Sequence, residues 1–232
     1  MRVPERKGIL VIQTVMKENT IQAIKREKII AIVRGVDKDK CEKVADALYL
    51  GGIRLTEVTF NQKDPSSFSV TAQAIALLSE KYKGRMLIGA GTVLTAEQVE
   101  IAANAGAKYI ISPDVNEEVI RKTCELGLVS IPGAITPSEM TAAHRYGADF
   151  VKLFPAGDFG PSYVKAIRAP LNHIPMLAVG GVNENNVAEF LKAGICGAGI
   201  GGNLANKTWI EAGEYEKITA TAKTIIENIQ NI

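Results

Sequence analysis

Eight short apolar, β-branched segments alternate with eight longer segments of helical periodicity, and this rhythm constrains the fold more than any other feature. Strands are expected at 29–34, 53–60, 86–90, 109–112, 129–131, 150–154, 176–179 and 197–200. Helices are expected at 41–50, 67–82, 96–105, 117–125, 137–146, 163–168, 187–193 and 214–229. Thr95 with Gln98, and Thr136 with Glu139, carry the capping pattern of a hydroxyl followed three residues later by Gln or Glu. Gly51, Gly106, Gly127, Gly147 and Gly194 each follow a helical stretch, where a left-handed terminal residue is wanted. Strand followed by helix, eight times in 232 residues with no linker, predicts an α/β protein, a single-domain (β/α)8 TIM barrel with an N-terminal helix. An open doubly wound sheet is the alternative. It usually has fewer strands, and it leaves the glycine-rich ends of the last two strands unexplained.

The barrel domain is expected over 16–232, with Met16 as a plausible start. Residues 1–15 read as an extension of unassigned role: leader, cloning remnant or dispensable segment. Arg2, Arg6 and Lys7 precede a short apolar run, but no small-residue cleavage site follows. No apolar run approaches the roughly 20 residues of a membrane span.

Charge and cysteine use exclude several function classes. The 27 basic and 25 acidic residues are well mixed and net +2, so neither a nucleic-acid nor a membrane partner is expected. Small local clusters of positive charge can still bind a small anion. Cys41, Cys124 and Cys196 form no Cys-x-x-Cys pair, and each reads as a small buried apolar residue in a reducing, cytoplasmic setting. His144, on an expected helix, and His173, in a turn, read as surface or packing residues. No metal and no cofactor is expected.

Lys152 is the cation inside the apolar run 149–155. Burial of an ammonium favours its neutral amine, a nucleophile able to form a Schiff base with a ketone. The bland alternative is a strand-end lysine whose head reaches water. Alternation along strands puts Phe150, Lys152 and Phe154 on one face, Leu55, Glu57 and Thr59 on another, and Ile30, Ile32 and Arg34 on a third. Lysine, glutamate and arginine therefore converge late on three strands, where barrel enzymes keep their chemistry. Glu57 also reads as a structural carboxylate paired with Lys152 or Arg34. Arg34 offers a planar fork for a substrate carboxylate and pushes Lys152 towards neutrality.

The last two strands end in Gly180-Gly181 and in Gly201-Gly202-Asn203. Glycine lets backbone N–H groups approach a phosphate, and these are the loops that bind phosphate in such barrels. Tight packing at the rim is the plain alternative. A short helix starting near Asn203 is expected to add its dipole. The Gly-x-Gly-x-x-Gly match over 197–202 is not a dinucleotide site, because no βαβ unit follows it. Thr92, after Gly89-Ala-Gly91, lies close to the mouth or merely initiates a helix.

The motifs Glu57-Val-Thr59, Gly89-Ala-Gly-Thr92, Ser112-Pro113, Ile131-Pro-Gly133, Lys152-Leu-Phe-Pro155, Gly180-Gly181 and Gly201-Gly202 together resemble the class I aldolases of 2-keto-3-deoxy-6-phosphogluconate (KDPG) and 4-hydroxy-2-oxoglutarate (KHG). The resemblance spans about residues 18–230. It implies a metal-free (β/α)8 homotrimer acting on a small phosphorylated keto acid, KDPG cleavage to pyruvate and glyceraldehyde 3-phosphate as in Entner–Doudoroff metabolism, and KHG cleavage to pyruvate and glyoxylate. It implies Lys152 as the Schiff-base lysine and Glu57 as the proton shuttle. Thr92, Pro113 and Phe154 would line the pyruvate end, and Gly180, Gly181, Gly201, Gly202 and Asn203 would cradle phosphate. Two positions depart from the KDPG pattern. Phe60-Asn61-Gln62 lacks the arginine common after Glu-Val-Thr, a contact Arg34 would take over, and Val179 stands where threonine is common. Arg34-Gly35, Asn61, Val179 and 159–163 resemble instead the sister aldolases for the C4 epimer, 2-keto-3-deoxy-6-phosphogalactonate. The rivals are another phosphate-binding barrel enzyme, an isomerase or a thiamin-phosphate-type synthase, and a non-catalytic sugar-phosphate binding barrel.

Overall fold

The computed structural model describes residues 3–230 and 232; Met1, Arg2 and Asn231 lie outside the described residues, as do the side chains of 3–10 and 12. In chain order the elements are α1 (Val3–Glu27), β1 (Ile29–Val33), α2 (Lys38–Leu50), β2 (Leu55–Thr59), α3 (Phe68–Lys81), β3 (Leu87–Gly91), α4 (Ala96–Asn104), β4 (Tyr109–Ile111), α5 (Glu117–Glu125), β5 (Val129–Ile131), β6 (Gly133–Ala134), α6 (Pro137–Tyr146), β7 (Val151–Leu153), α7 (Ala156–Arg168), β8 (Met176–Val179), α8 (Val187–Lys192), β9 (Gly197–Ile200), α9 (Lys207–Ala212) and α10 (Tyr215–Ile229). Helix α1 runs through the expected boundary at residue 16.

The strands pair in the order β5-β4-β3-β2-β1-β9-β8-β7-β6, and every pair is parallel. β5 and β6 are two pieces of one stave. Pro132 between them has no N–H to give a ladder, so β5 stays on β4 while β6 turns onto β7. The Phe150 N–H donates to the Ser130 carbonyl (3.2 Å) and the Lys152 N–H to that of Pro132 (2.8 Å), joining the two edges. Eight staves thus make a barrel, which disposes of the open sheet.

Alternation along the staves divides the core in two. Ile30, Leu55, Tyr109, Ile111, Val129, Ile131, Phe150 and Leu177 fill the interior. Their neighbours, such as Ala31, Val58, Val151 and Ala178, pack outwards against the helices. Ile24 of α1 joins the interior cluster and plugs the end where the strands begin. Its complete burial is worth about 1.5–3 kcal/mol. The Tyr109 ring lies where a side chain on Gly89 would be, 2.1 Å from the Cβ that glycine lacks, and its hydroxyl donates to the Thr56 carbonyl at 2.6 Å.

The helix ends follow the sequence with three corrections. Thr136 and Glu139 form the full reciprocal capping box, whereas Gln98 turns its side chain to the Leu94 N–H and leaves only the Thr95 half of that motif. Gly51 is right-handed (φ −80°) and Gly52 is the left-handed residue after α2. Gly51 is needed for space: a Cβ there would meet the Ala222 Cβ at 2.3 Å as α2 and α10 close up. The expected helix 163–168 belongs to α7, whose second part starts beyond a kink at Gly160 (φ 72°, ψ 176°). Among the described residues, no helix is long and apolar enough to cross a membrane.

Candidate active site

Glu57 on β2 and Lys152 on β7 continue the inward-facing sets of Leu55 and Phe150, so both side chains enter the barrel. Four steps separate β2 from β7 in a ring of eight staves, which sets the two on opposite walls. Both are buried, at 2% and 6% exposure. Among the described residues no ion pair within 4.0 Å joins Glu57 to Lys152 or Arg34, so the expected structural salt bridge is not formed. The Glu57 Oε2 is buried without a hydrogen-bond partner.

This separation sets the electrostatics. Burial, the largest influence, pushes the Glu57 carboxyl up to about 7, against the opposing pull of Lys152 and Arg34. Burial likewise lowers Lys152 from its ordinary value; Glu57 opposes this, Arg34 reinforces it and Asp114 opposes it. Burial thus shifts both groups in the direction of their neutral forms, an arrangement able to supply a nucleophile and a proton carrier on opposite walls. The Lys152 Nζ lies 4.5 Å from the centre of the Phe154 ring, which is 39% exposed just beyond β7 and also packs against Gly180.

Of the other expected residues, Phe154 stands beside Lys152, and the charge of Arg34 acts on both members of the pair. Arg34, just past β1, is exposed and lines a cleft of about 630 Å³ with Thr59, Asn61, Gln62, Lys63 and Thr92. Thr92 has φ +57°, a strained conformation for a β-branched residue. Its carbonyl accepts from the Gln62 side chain (2.5 Å), and the Gln62 and Gln98 amides bond reciprocally (3.0 and 3.4 Å). The Pro113 carbonyl lies 2.3 Å from the Cβ position of Gly133, the residue in register with Lys152, so glycine lets β6 tuck against the end of β4.

At the other side of the mouth Gly180 and Gly181 take φ +85° and +73°. The Gly180 carbonyl accepts from the Gly157 N–H (2.7 Å), tying this turn to the start of α7. Among the described residues the N–H groups of Gly181, Gly202 and Asn203 have no acceptor within the chain. The helix expected near Asn203 begins instead at Lys207, capped by Asn206; residues 201–205 form a turn on the Gly201 carbonyl.

From the sequence, Gly91 is named only within its motif and Gln98 only as a capping residue, neither is given a part in the site, and Asp114 is omitted. Gly91 was legible, because glycines two apart on a strand leave one face empty for larger groups. Gln98 and Asp114 carry no such signal. His144 and His173 are exposed and pack edge to face at 5.4 Å, and Cys124 is half-buried beside the Lys17 amine at 3.9 Å. Among the described residues no three His, Cys, Asp or Glu side chains gather as for a metal.

The family model for KDPG and KHG aldolases matches residues 20–221, from α1 into α10 and across every residue of the site. This chain belongs to the KDPG and KHG aldolase family. The 2-dehydro-3-deoxy-6-phosphogalactonate aldolase of Escherichia coli (strain K12) is 37% identical over 177 residues, 76% of this chain and 83% of the relative. The 2-dehydro-3-deoxy-phosphogluconate aldolase of Treponema pallidum (strain Nichols) is 32% identical over 210 residues, 89% and 95%. The solved native KDPGal structure superposes with a TM-score of 0.78 at 33% identity, covering 88% of this chain and 94% of that one. For a KDPG and KHG aldolase the strand glycines acquire a common sense: Gly89, Gly91 and Gly133 leave the space taken by the Tyr109 ring, the Glu57 carboxyl and the Pro113 carbonyl.

Proposed function

We propose that this aldolase cleaves 2-keto-3-deoxy-6-phosphogalactonate to pyruvate and glyceraldehyde 3-phosphate through a Schiff base on Lys152. The observation that carries the reading is the buried amine of Lys152, its pKa lowered chiefly by burial, facing a buried carboxyl raised to about 7. The amine adds to the C2 ketone. The protonated Glu57 gives its proton to the departing hydroxyl, and water leaves an iminium. The Glu57 carboxylate takes the C4 hydroxyl proton, the C3–C4 bond breaks, and its electron pair moves into the enamine. The aldehyde departs, the enamine gains a proton at C3, and water releases pyruvate and the free amine. A carboxyl poised near neutral pH suits both directions of proton transfer. Arg34 and Thr92 hold the substrate carboxylate, with Pro113 and Phe154 as walls, and the free N–H groups at Gly181, Gly202 and Asn203 receive the phosphate. Remote phosphate binding fixes C4 against the base.

The galactonate series is favoured by the higher identity to the phosphogalactonate relative and by Arg34-Gly35, Asn61 and Val179. The gluconate epimer is the second reading, supported by the longer match to the phosphogluconate relative. Val179 bears on the choice because its Cγ2 fills the space beside Gly199, 2.9 Å from the missing Cβ, with a methyl and no hydroxyl. The assembly proposed is a homotrimer, as the motif resemblance implies. Borohydride reduction with pyruvate should add mass to Lys152, and no adduct there would remove the Schiff-base step. Comparing kcat/KM on both epimers decides the sugar: a preference for the gluconate acid overturns the galactonate reading and leaves the chemistry standing.

A further inference from the structure

A second cleft, of about 660 Å³, opens at the end of the barrel where the strands begin, between α1 and the first residues of β2, β3 and β4. Arg54, Arg85 and Lys108 line it. Both guanidinium groups are held in place. Arg54 donates from Nη1 to the carbonyls of Tyr49 (2.9 Å) and Ile53 (2.8 Å) and stacks 4.2 Å from the centre of the Tyr49 ring. Arg85 donates to the Lys81 carbonyl and lies 5.5 Å from the same ring and 5.2 Å from that of Tyr82. Sharing one ring puts the two cations within the Debye length of about 10 Å in 0.1 M salt, so salt screens their repulsion only in part.

No neighbouring acid neutralises them. Among the described residues none of the three forms an ion pair with a carboxylate. Glu27, in the cleft, is taken by Arg26 (2.8 Å), and Asp46, which feels Arg85, is held by Lys81 (2.7 Å) and the Tyr82 hydroxyl. The cluster therefore has two planar guanidinium groups fixed in advance and a charge that no ion pair compensates, gathered in an open cleft, an arrangement suited to a phosphate dianion. We propose that this cleft is a second anion site, at the opposite end of the barrel from Lys152, for a small phosphate-bearing molecule. The occupant would also touch Met16 and Thr20, and so would tie α1 to the barrel floor.

Calorimetric titration of the full chain with pyrophosphate at low ionic strength tests this. Two binding events per chain are expected, one of them weakened at least tenfold in R85A/K108A while pyruvate trapping on Lys152 persists. A single wild-type event that R85A/K108A leaves unchanged, or two unchanged events in the double variant, overturns the site, whereas a single event weakened by R85A/K108A keeps it and removes the active-site phosphate cradle instead. Should the double variant misfold, K108Q replaces it: a severalfold loss at the second event supports the site, and an unchanged affinity overturns it. Parallel titrations with inorganic phosphate and glycerol 3-phosphate identify the source. Binding of pyrophosphate or phosphate alone assigns an inorganic anion, and binding of glycerol 3-phosphate assigns the phosphoryl group of an organic metabolite.

Discussion

The Glu57 carboxyl occupies the space that a side chain on Gly91 would fill: the Cβ that Gly91 lacks would sit 2.5 Å from the carboxyl carbon. A glycine on one stave thereby sets where the acid of the next stave stands. The two strands are adjacent, with Thr59 in register with Gly91, so the arrangement is local and rigid.

Gly91→Ala is expected to push the carboxylate out of line with little change of fold. Overpacking of this kind costs about 1–3 kcal/mol of stability, and misplacement of about 1 Å costs on the order of 100-fold in rate. Steady-state cleavage and exchange of the pyruvate methyl protons measure it. Unimpaired exchange would show that the carboxyl position is not critical.

Lys152→Met is expected to abolish turnover and to raise stability. Methionine fits the same volume and removes an amine that burial penalises, a gain on the order of 1–2 kcal/mol or about 2–8 °C in Tm. The folded pKa of Lys152 is lowered, so the unfolded chain binds its proton more tightly. The penalty is then complete below the folded pKa and fades as pH rises towards 10.5. Thermal melts of both proteins across pH 6–11 should converge at the alkaline end; parallel melting curves would contradict a lowered lysine pKa.

Glu57 has the opposite sign. Its folded pKa of about 7 exceeds the ordinary 4.5, so its contribution is fully present below pH 4.5 and is lost as pH rises through 7. Relative to Glu57→Gln, the wild type should lose on the order of 3 kcal/mol between pH 4.5 and 7.5. In catalysis the same substitution should lower kcat by about 100- to 10,000-fold while pyruvate trapping on Lys152 persists. A pH-independent stability difference would place the carboxyl in a wetter setting.

Gln98→Leu is expected to release the Thr92 turn. Gln98 is buried, and its amide holds both the Leu94 N–H (2.7 Å) and Gln62, which holds the strained Thr92 carbonyl. Leaving those partners unmet costs about 1–3 kcal/mol. KM for the keto acid should rise by roughly tenfold, with a smaller change in kcat, because the role proposed for Thr92 is to hold the substrate carboxylate. Gln98→Glu, which keeps the acceptor for Leu94, should restore part of the loss. Equal effects on KM and kcat in both variants would mean a general loosening.

The linear chain determined the barrel and its inventory. Period-two and helical patterns marked all eight staves, and alternation on three strands put Lys152, Glu57 and Arg34 at one mouth, because side-chain direction follows from local backbone geometry alone. What only the tertiary structure decided concerns distances between staves. Closure at the Pro132 break set β2 opposite β7, so that Glu57 and Lys152 face each other without pairing and burial, not a salt bridge, controls their protons. Packing between non-neighbours likewise assigned Gly51 to Ala222, Gly89 to Tyr109 and Gly91 to Glu57. Those contacts depend on barrel curvature and on which stave meets which, quantities that no run of consecutive residues encodes.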